Sequence, residues 1–219
     1  MSTESLKDDQ TASTDAVSTD IEPRRLPVQG RSRERVNVIL NCTVELIKEV
    51  GVQGLKTSEV ARQAGISLPS LYRYFPNKAA IIKAIAQQHI EKLSGLMQAF
   101  LVDFDLDEGF DHLIDVYAQF YRSEPGYKEI WSGVESMPEL QELDLGDLYN
   151  NADSLSVRAK SRFKGVDDER VWLICVMLPR TCGAILRLSM TMDEAQSAML
   201  LSELKLMVKA YLKERATSE

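Results

Sequence analysis

From Val36 onward, apolar residues recur at helical spacing. Val36, Ile39, Leu40, Thr43, Val44, Ile47 and Val50 form one stripe, and Gly51 interrupts it. A short second pattern follows, with Val60, Ala61 and Ala64 on one face and Gly65 directly behind it. A third carries Leu71 and Phe75, four residues apart. Asn77 then opens a longer stripe of Ile81, Ile82, Ile85, His89, Leu93 and Leu96, running to about residue 102. Asp105 to Gly109 reads as a break. An aromatic-rich helix from Phe110 to Tyr121 comes next and is closed by Pro125-Gly126. A short helix through Ile130 and Trp131 leads to a long segment from Pro138 to about Phe163. Asp167 caps a helix reaching about Met190, and Asp193 starts the last one. No period-two alternation or hairpin dipeptide competes, so the pattern predicts an all-α chain.

The stretch from Thr57 to Lys78 is the most specific part. Thr57 stands where an N-cap oxygen is wanted, and Glu59 puts a carboxylate near the positive end of a short helix. Gly65 supplies the left-handed residue that closes it. Ser67 is a good N-cap for the next helix, whose first turn tolerates Pro69. Two short helices joined by a tight Gly turn have the shape of a helix-turn-helix, which places the N-terminal side chains of its second helix in the DNA major groove.

Charge sharpens this picture. The 219 residues carry a net charge of -7, unpromising for a DNA binder until it is partitioned. Residues 1–30 hold three basic and six acidic side chains, and residues 84–219 hold 14 basic and 23 acidic. Residues 31–83 hold nine basic against four acidic, a net of +5 where phosphates would need it. The polar, acidic first 30 residues lack the apolar groups for a core and are expected to be disordered. They are also unlike a signal peptide. No uninterrupted run of about 18 apolar residues is present, which argues against a membrane span. Three cysteines without metal-type spacing fit a reducing cytoplasm.

Chemistry of other kinds finds little support. His89 lies on an apolar stripe, and His112 is the only other histidine. No Ser-His-Asp set, Gly-rich phosphate loop or metal box occurs, so neither an enzyme, a cofactor nor a metal is expected. The acidic run Asp103, Asp105, Asp107 and Glu108 lacks the spacing of a calcium loop.

The pattern Thr57-x-x-Val60-Ala61-x-x-Ala64-Gly65-Ile66-Ser67-x-x-x-Leu71-Tyr72-x-Tyr74-Phe75-x-Asn77-Lys78 resembles the DNA-binding domain of TetR-type transcriptional regulators. The resemblance extends from about Arg33 to Leu93. It implies a homodimer with two DNA heads and a C-terminal domain that binds a small molecule. It places phosphate contacts on Tyr72 and Lys78, and base-reading positions on Ser67, Leu68, Pro69, Ser70 and Arg73. Thr57 and Tyr74 complete the expected DNA-binding set. Many members carry an acidic residue after the Lys, where this chain has Ala79-Ala80. The expected organisation is therefore a tail (1–30), a three-helix head (31–83) and a helical ligand-binding and dimerisation domain (84–219). The expected function is that of a cytoplasmic, ligand-responsive repressor of a palindromic operator on double-stranded DNA.

The C-terminal domain carries two further expectations. The helix around Val171–Leu188 is apolar on nearly every face, which calls for a second subunit beside it and the last helix, with Leu201 and Leu204 at that interface. Tyr117, Tyr121, Trp131, Met137, Trp172, Met177 and Arg180 are the candidate lining of an effector pocket, with Arg180 allowing an acid. The alternative is a ligand-free architectural or partner-controlled DNA-binding protein, whose aromatic and methionine residues are ordinary core.

Overall fold

The computed structural model describes residues 30–100, 106–161 and 163–216. Among these residues the chain forms α-helices only: α1 (Gly30–Gly54), α2 (Thr57–Gln63), α3 (Leu68–Tyr72), α4 (Lys78–Phe100), α5 (Leu106–Ser123), α6 (Tyr127–Ser136), α7 (Pro138–Ala159), α8 (Asp168–Ser189) and α9 (Glu194–Ala216). The acidic tail, Asp103 and Asp105 lie outside the described residues.

The head is built as its spacing suggests. Ile39, Leu40 and Ile47 of α1 are buried with Val60, Ala61, Ala64, Leu71 and Phe75. Thr43 is buried among them because its hydroxyl donates to the Ile39 carbonyl at 2.8 Å, which removes the cost of an unpaired polar group. Gly51 breaks α1 with φ 68° and ψ 171°, a backbone region closed to other residues. Val50 is exposed, contrary to its place on the apolar stripe, and Leu46 is buried instead. The chain turns at Gly51, and Val50 is left beside Gly54 at the rim of the head.

Side-chain caps set the starts of α4, α8 and α9. Asn77 accepts from the Ala80 amide at 2.9 Å, Asp167 from the Arg170 amide at 2.9 Å, and Asp193 from the Gln196 amide at 2.8 Å. The expected break at residues 105–109 is displaced: α5 already begins at Leu106, so Asp107, Glu108 and Gly109 lie in its first turn.

The C-terminal helices pack antiparallel. Lys205 pairs with Asp115 at 2.6 Å and Lys209 with Asp111 at 2.8 Å, which registers α9 along α5. α8 lies against α7 and α9, while α6 is wedged among α1, α4 and α7. α8 is long and apolar enough, by length and composition, to cross a membrane. It carries Arg180 and Arg187, so it is not the uninterrupted apolar run that the sequence criterion asked for. The helix packs in this fold on α7 and α9, and its mid-helix Arg180 pairs with Asp144 of α7.

Candidate nucleic-acid interface and effector cavity

The exposed side of the head is formed by α2, α3 and the start of α4. Gly65 takes φ 65° and turns the chain between α2 and α3. Ser67 caps α3: its hydroxyl oxygen accepts from the Ser70 amide at 3.3 Å, and its proton goes to the Ser70 hydroxyl at 2.9 Å. The Ser70 hydroxyl keeps its own proton to donate. Pro69 and Arg73 are exposed, Leu68, Ser70 and Tyr74 half-buried, and Leu71 anchors the helix from below.

Thr57 was expected to cap α2. Lys56 holds that position instead, with extended backbone and no side-chain cap, and Thr57 is the first helical residue. The Thr57 hydroxyl is engaged elsewhere, 3.1 Å from the Tyr72 hydroxyl. That contact fixes the ring of Tyr72 at the edge of the surface. Lys78 donates to the Val52 carbonyl at 3.1 Å and the Gln53 carbonyl at 3.5 Å, so its ammonium is held at the end of α1. Lys56 and Arg62 are exposed on the same head. The nine expected DNA-binding residues are therefore gathered on a compact stretch of α2, α3 and the α4 N-terminus.

The C-terminal domain holds a partly open cavity of about 570 Å³ between α5, α7, α8 and α9, with Met97 of α4 also on its wall. Tyr117 and Tyr121 line it, as expected. The other five candidates lie elsewhere. Trp131 is buried on α6 with its ring 5.8 Å from that of Tyr127. Met137 precedes α7 and packs on the core. Trp172 points toward α7, where its indole N–H donates to Asp153 at 2.7 Å and its ring stacks on Tyr149. Met177 is exposed on the outer face of α8. Arg180 pairs with Asp144 outside the cavity. Each of these side chains is claimed by a neighbouring helix or by the surface, which no single-helix pattern reveals.

The remaining wall is mostly aliphatic and aromatic, with Phe110 and Ile114 of α5, Leu155 and Phe163 at the α7 end, Ile174, Leu178 and Leu186 of α8, and Val208 and Leu212 of α9; Arg158 and Ser161 at the α7 end are its polar members. Phe110 and Ile114, Ile174 and Leu178, and Val208 and Leu212 each sit four apart on their helices, a signal that marks them as core without saying that a space lies between them. Cys175 and Cys182 also line the cavity, and burial pushes both thiols up to about 11. They stay protonated and act as small apolar groups rather than nucleophiles. Burial likewise raises the phenols of Tyr117, Tyr121 and Tyr127, so all three remain neutral donors. At the inner end of the cavity, Tyr121 stacks on Tyr127 at 4.1 Å, and Tyr127 stacks on His89 of α4 at 5.3 Å.

Comparison with known proteins follows this division. Residues 39–85 match the bacterial regulatory proteins of the tetR family, and residues 105–212 match the tetracyclin repressor-like C-terminal domain. The chain is 39% identical over 51 residues to the tetracycline repressor protein class A of Escherichia coli, covering 23% of this chain and 24% of that protein. It is 24% identical over 128 residues to the nucleoid occlusion factor SlmA of Mannheimia succiniciproducens, covering 57% of this chain and 59% of that one. The chain thus spans between about a quarter and three fifths of these relatives' length. A TetR-family regulator from Streptomyces coelicolor shares the fold, with TM-score 0.59, 22% identity, and coverage of 83% of this chain and 99% of the other. With both halves matched and the helix-turn-helix surface in place, the chain belongs to the TetR family and is a DNA-binding transcriptional regulator, not an enzyme.

Proposed function

We propose that the protein is a ligand-responsive repressor that binds a palindromic operator in the cytoplasm as a homodimer and is released by a small apolar effector. The observation that carries this reading is the largely apolar cavity whose wall residue Tyr121 stacks through Tyr127 onto His89 of α4. Helix α4 begins at Lys78, beside the DNA-reading surface. A ligand that moves Tyr121 therefore acts on the helix that carries the head. In this reading Tyr72 and Lys78 hold phosphates, while Ser67, Leu68, Pro69, Ser70 and Arg73 face base edges.

The homodimer rests on a separate feature. Leu173, Met177 and Leu188 of α8 and Met199, Leu206 and Met207 of α9 are all exposed. Large apolar groups clustered on two adjacent helices form the kind of patch that a second copy covers in a two-fold interface. Leu201 and Leu204, expected there, are buried inside the protomer.

The test is an operator titration with candidate effectors. Genomic fragments retained over competitor DNA at moderate salt identify the operator, and ligands that raise thermal stability are then added. A true effector changes operator affinity by roughly 5–150-fold. Retention of no fragment would refute operator binding.

A second reading is favoured by the relatives named as nucleoid occlusion factors. In it, the head binds DNA and a protein partner takes the place of the small molecule. Operator affinity that responds to no cavity ligand would support that reading.

A further inference from the structure

Gly183 and Arg187 stand one turn apart on α8, so both address the same neighbour, Tyr121. A methyl group on Gly183 would lie 3.4 Å from Arg187 Nη1 and 3.7 Å from the Tyr121 hydroxyl. Gly183 and Tyr121 line the cavity, and Arg187 stands just behind Gly183, next to the lining and not part of it. The Tyr121 oxygen accepts hydrogen bonds from Tyr127 and Arg187. A phenol has two lone pairs and one proton, so with both lone pairs used its own O–H is left as a donor. A guanidinium offers five N–H groups in a planar fork that matches a carboxylate. Away from this corner the lining is apolar except for Arg158 and Ser161 at the α7 end, and on α5 it runs from Phe110 to Tyr121, a length of about 16 Å.

We propose that the cavity selects an elongated apolar molecule ending in a carboxylate, with the carboxylate seated at Gly183 against Arg187 and Tyr121. The apolar body then extends along α5 toward Phe110. This rests on the reading of the cavity as an effector site, and adds the chemical class of the effector and the residues that choose it. A carboxylate is preferred over a neutral oxygen because a charge-assisted hydrogen bond in a half-buried site is roughly twice as strong as a neutral one. Gly183 is the gate, since any side chain there fills the seat.

The test is calorimetric titration of the full chain with dodecanoate and dodecanol, which share a body and differ in the head. The wild-type protein should bind the acid at least about tenfold more tightly. Arg187→Met should weaken the acid much more than the alcohol and so remove the preference, while Arg187→Lys should keep part of it. Gly183→Val should weaken the acid more than the alcohol. The comparison within the wild-type protein needs no variant and so does not depend on their folding. Equal affinity for acid and alcohol would overturn the carboxylate seat while leaving the effector cavity standing. Binding of neither would overturn both.

Discussion

Tyr127 stacks on His89 with ring centroids 5.3 Å apart and an interplanar angle of 30°, which joins the cavity wall to the helix leading to the DNA head. The imidazole is 2% exposed, and its Nδ1 is buried without a partner. Its Nε2 is 3.6 Å from Glu124, which is itself paired with Lys92. Burial outweighs the pull of Glu124 and lowers the imidazole to about 4, with Lys92 adding to the effect. Between the ordinary value near 6.5 and about 4, the unfolded chain binds a proton that the folded chain refuses. Stability should therefore fall as pH drops through that window. His89→Phe should flatten this limb by about 2 kcal/mol at pH near 4.5, read as the wild-type minus variant difference in urea unfolding. An identical acid limb in the two proteins would show that His89 contributes nothing to it.

Lys78 holds the end of α1 in this structure and is proposed to hold a DNA phosphate as well, and one variant should test both. Lys78→Ala should weaken all DNA sites about equally and lower the salt slope by about one. Because the ammonium also holds the Val52 and Gln53 carbonyls, the same variant should lose about 1 kcal/mol of stability. Arg73→Ala, at an exposed position, should change preference among sites with stability intact. Binding selections combined with thermal melts separate the two behaviours; the same shift in site preference from both variants would contradict the assigned roles.

Gly133 is where α6 meets α1. A methyl group there would fall 2.6 Å from Val52 Cγ2, too close for either helix to accept without moving. Gly133→Ala should cost about 1–3 kcal/mol. The Val52→Ala background should relieve most of that cost, since the clash is with the Val52 side chain. Denaturant midpoints of the single and double variants form the cycle, and additive losses would place the strain elsewhere.

The outer face of α8 and α9 distinguishes assembly from folding. Leu206 is 60% exposed and Leu204 is 3% exposed, two positions apart on one helix. Leu206→Glu should yield folded monomers, because burying an unpaired carboxylate at the interface is costly. Leu204→Glu should unfold the domain for the same reason applied to its own core. Sedimentation and circular dichroism of both variants decide the matter, and an unchanged dimer for Leu206→Glu would move the interface.

Helices, turns and caps were legible in the chain because they depend on neighbours within four residues. Gly65, Ser67, Asn77, Asp167 and Asp193 all hold the backbone positions that their chemistry suggested. The helix-turn-helix surface was legible for the same reason, since all its parts lie between Thr57 and Lys78. Thr57 itself is the exception: its hydroxyl turns to Tyr72, fifteen residues away, and leaves the cap empty.

By itself, then, the sequence determined an all-α regulator with a DNA-reading head and an apolar C-terminal domain, because periodicity and local capping specify helices and their faces. Tertiary structure decided which face meets which neighbour. Trp172 and Arg180 look like pocket residues on an isolated helix, yet Asp153 and Asp144 of α7 claim them. Leu201 and Leu204 look like dimer contacts, yet the protomer's own core takes them. Gly183 and Arg187 carry no local signal, and acquire a role only because α8 brings them against Tyr121 of α5. A helical stripe fixes the direction of a side chain, but only packing between distant helices decides whether that direction ends in a partner, in solvent or in a cavity.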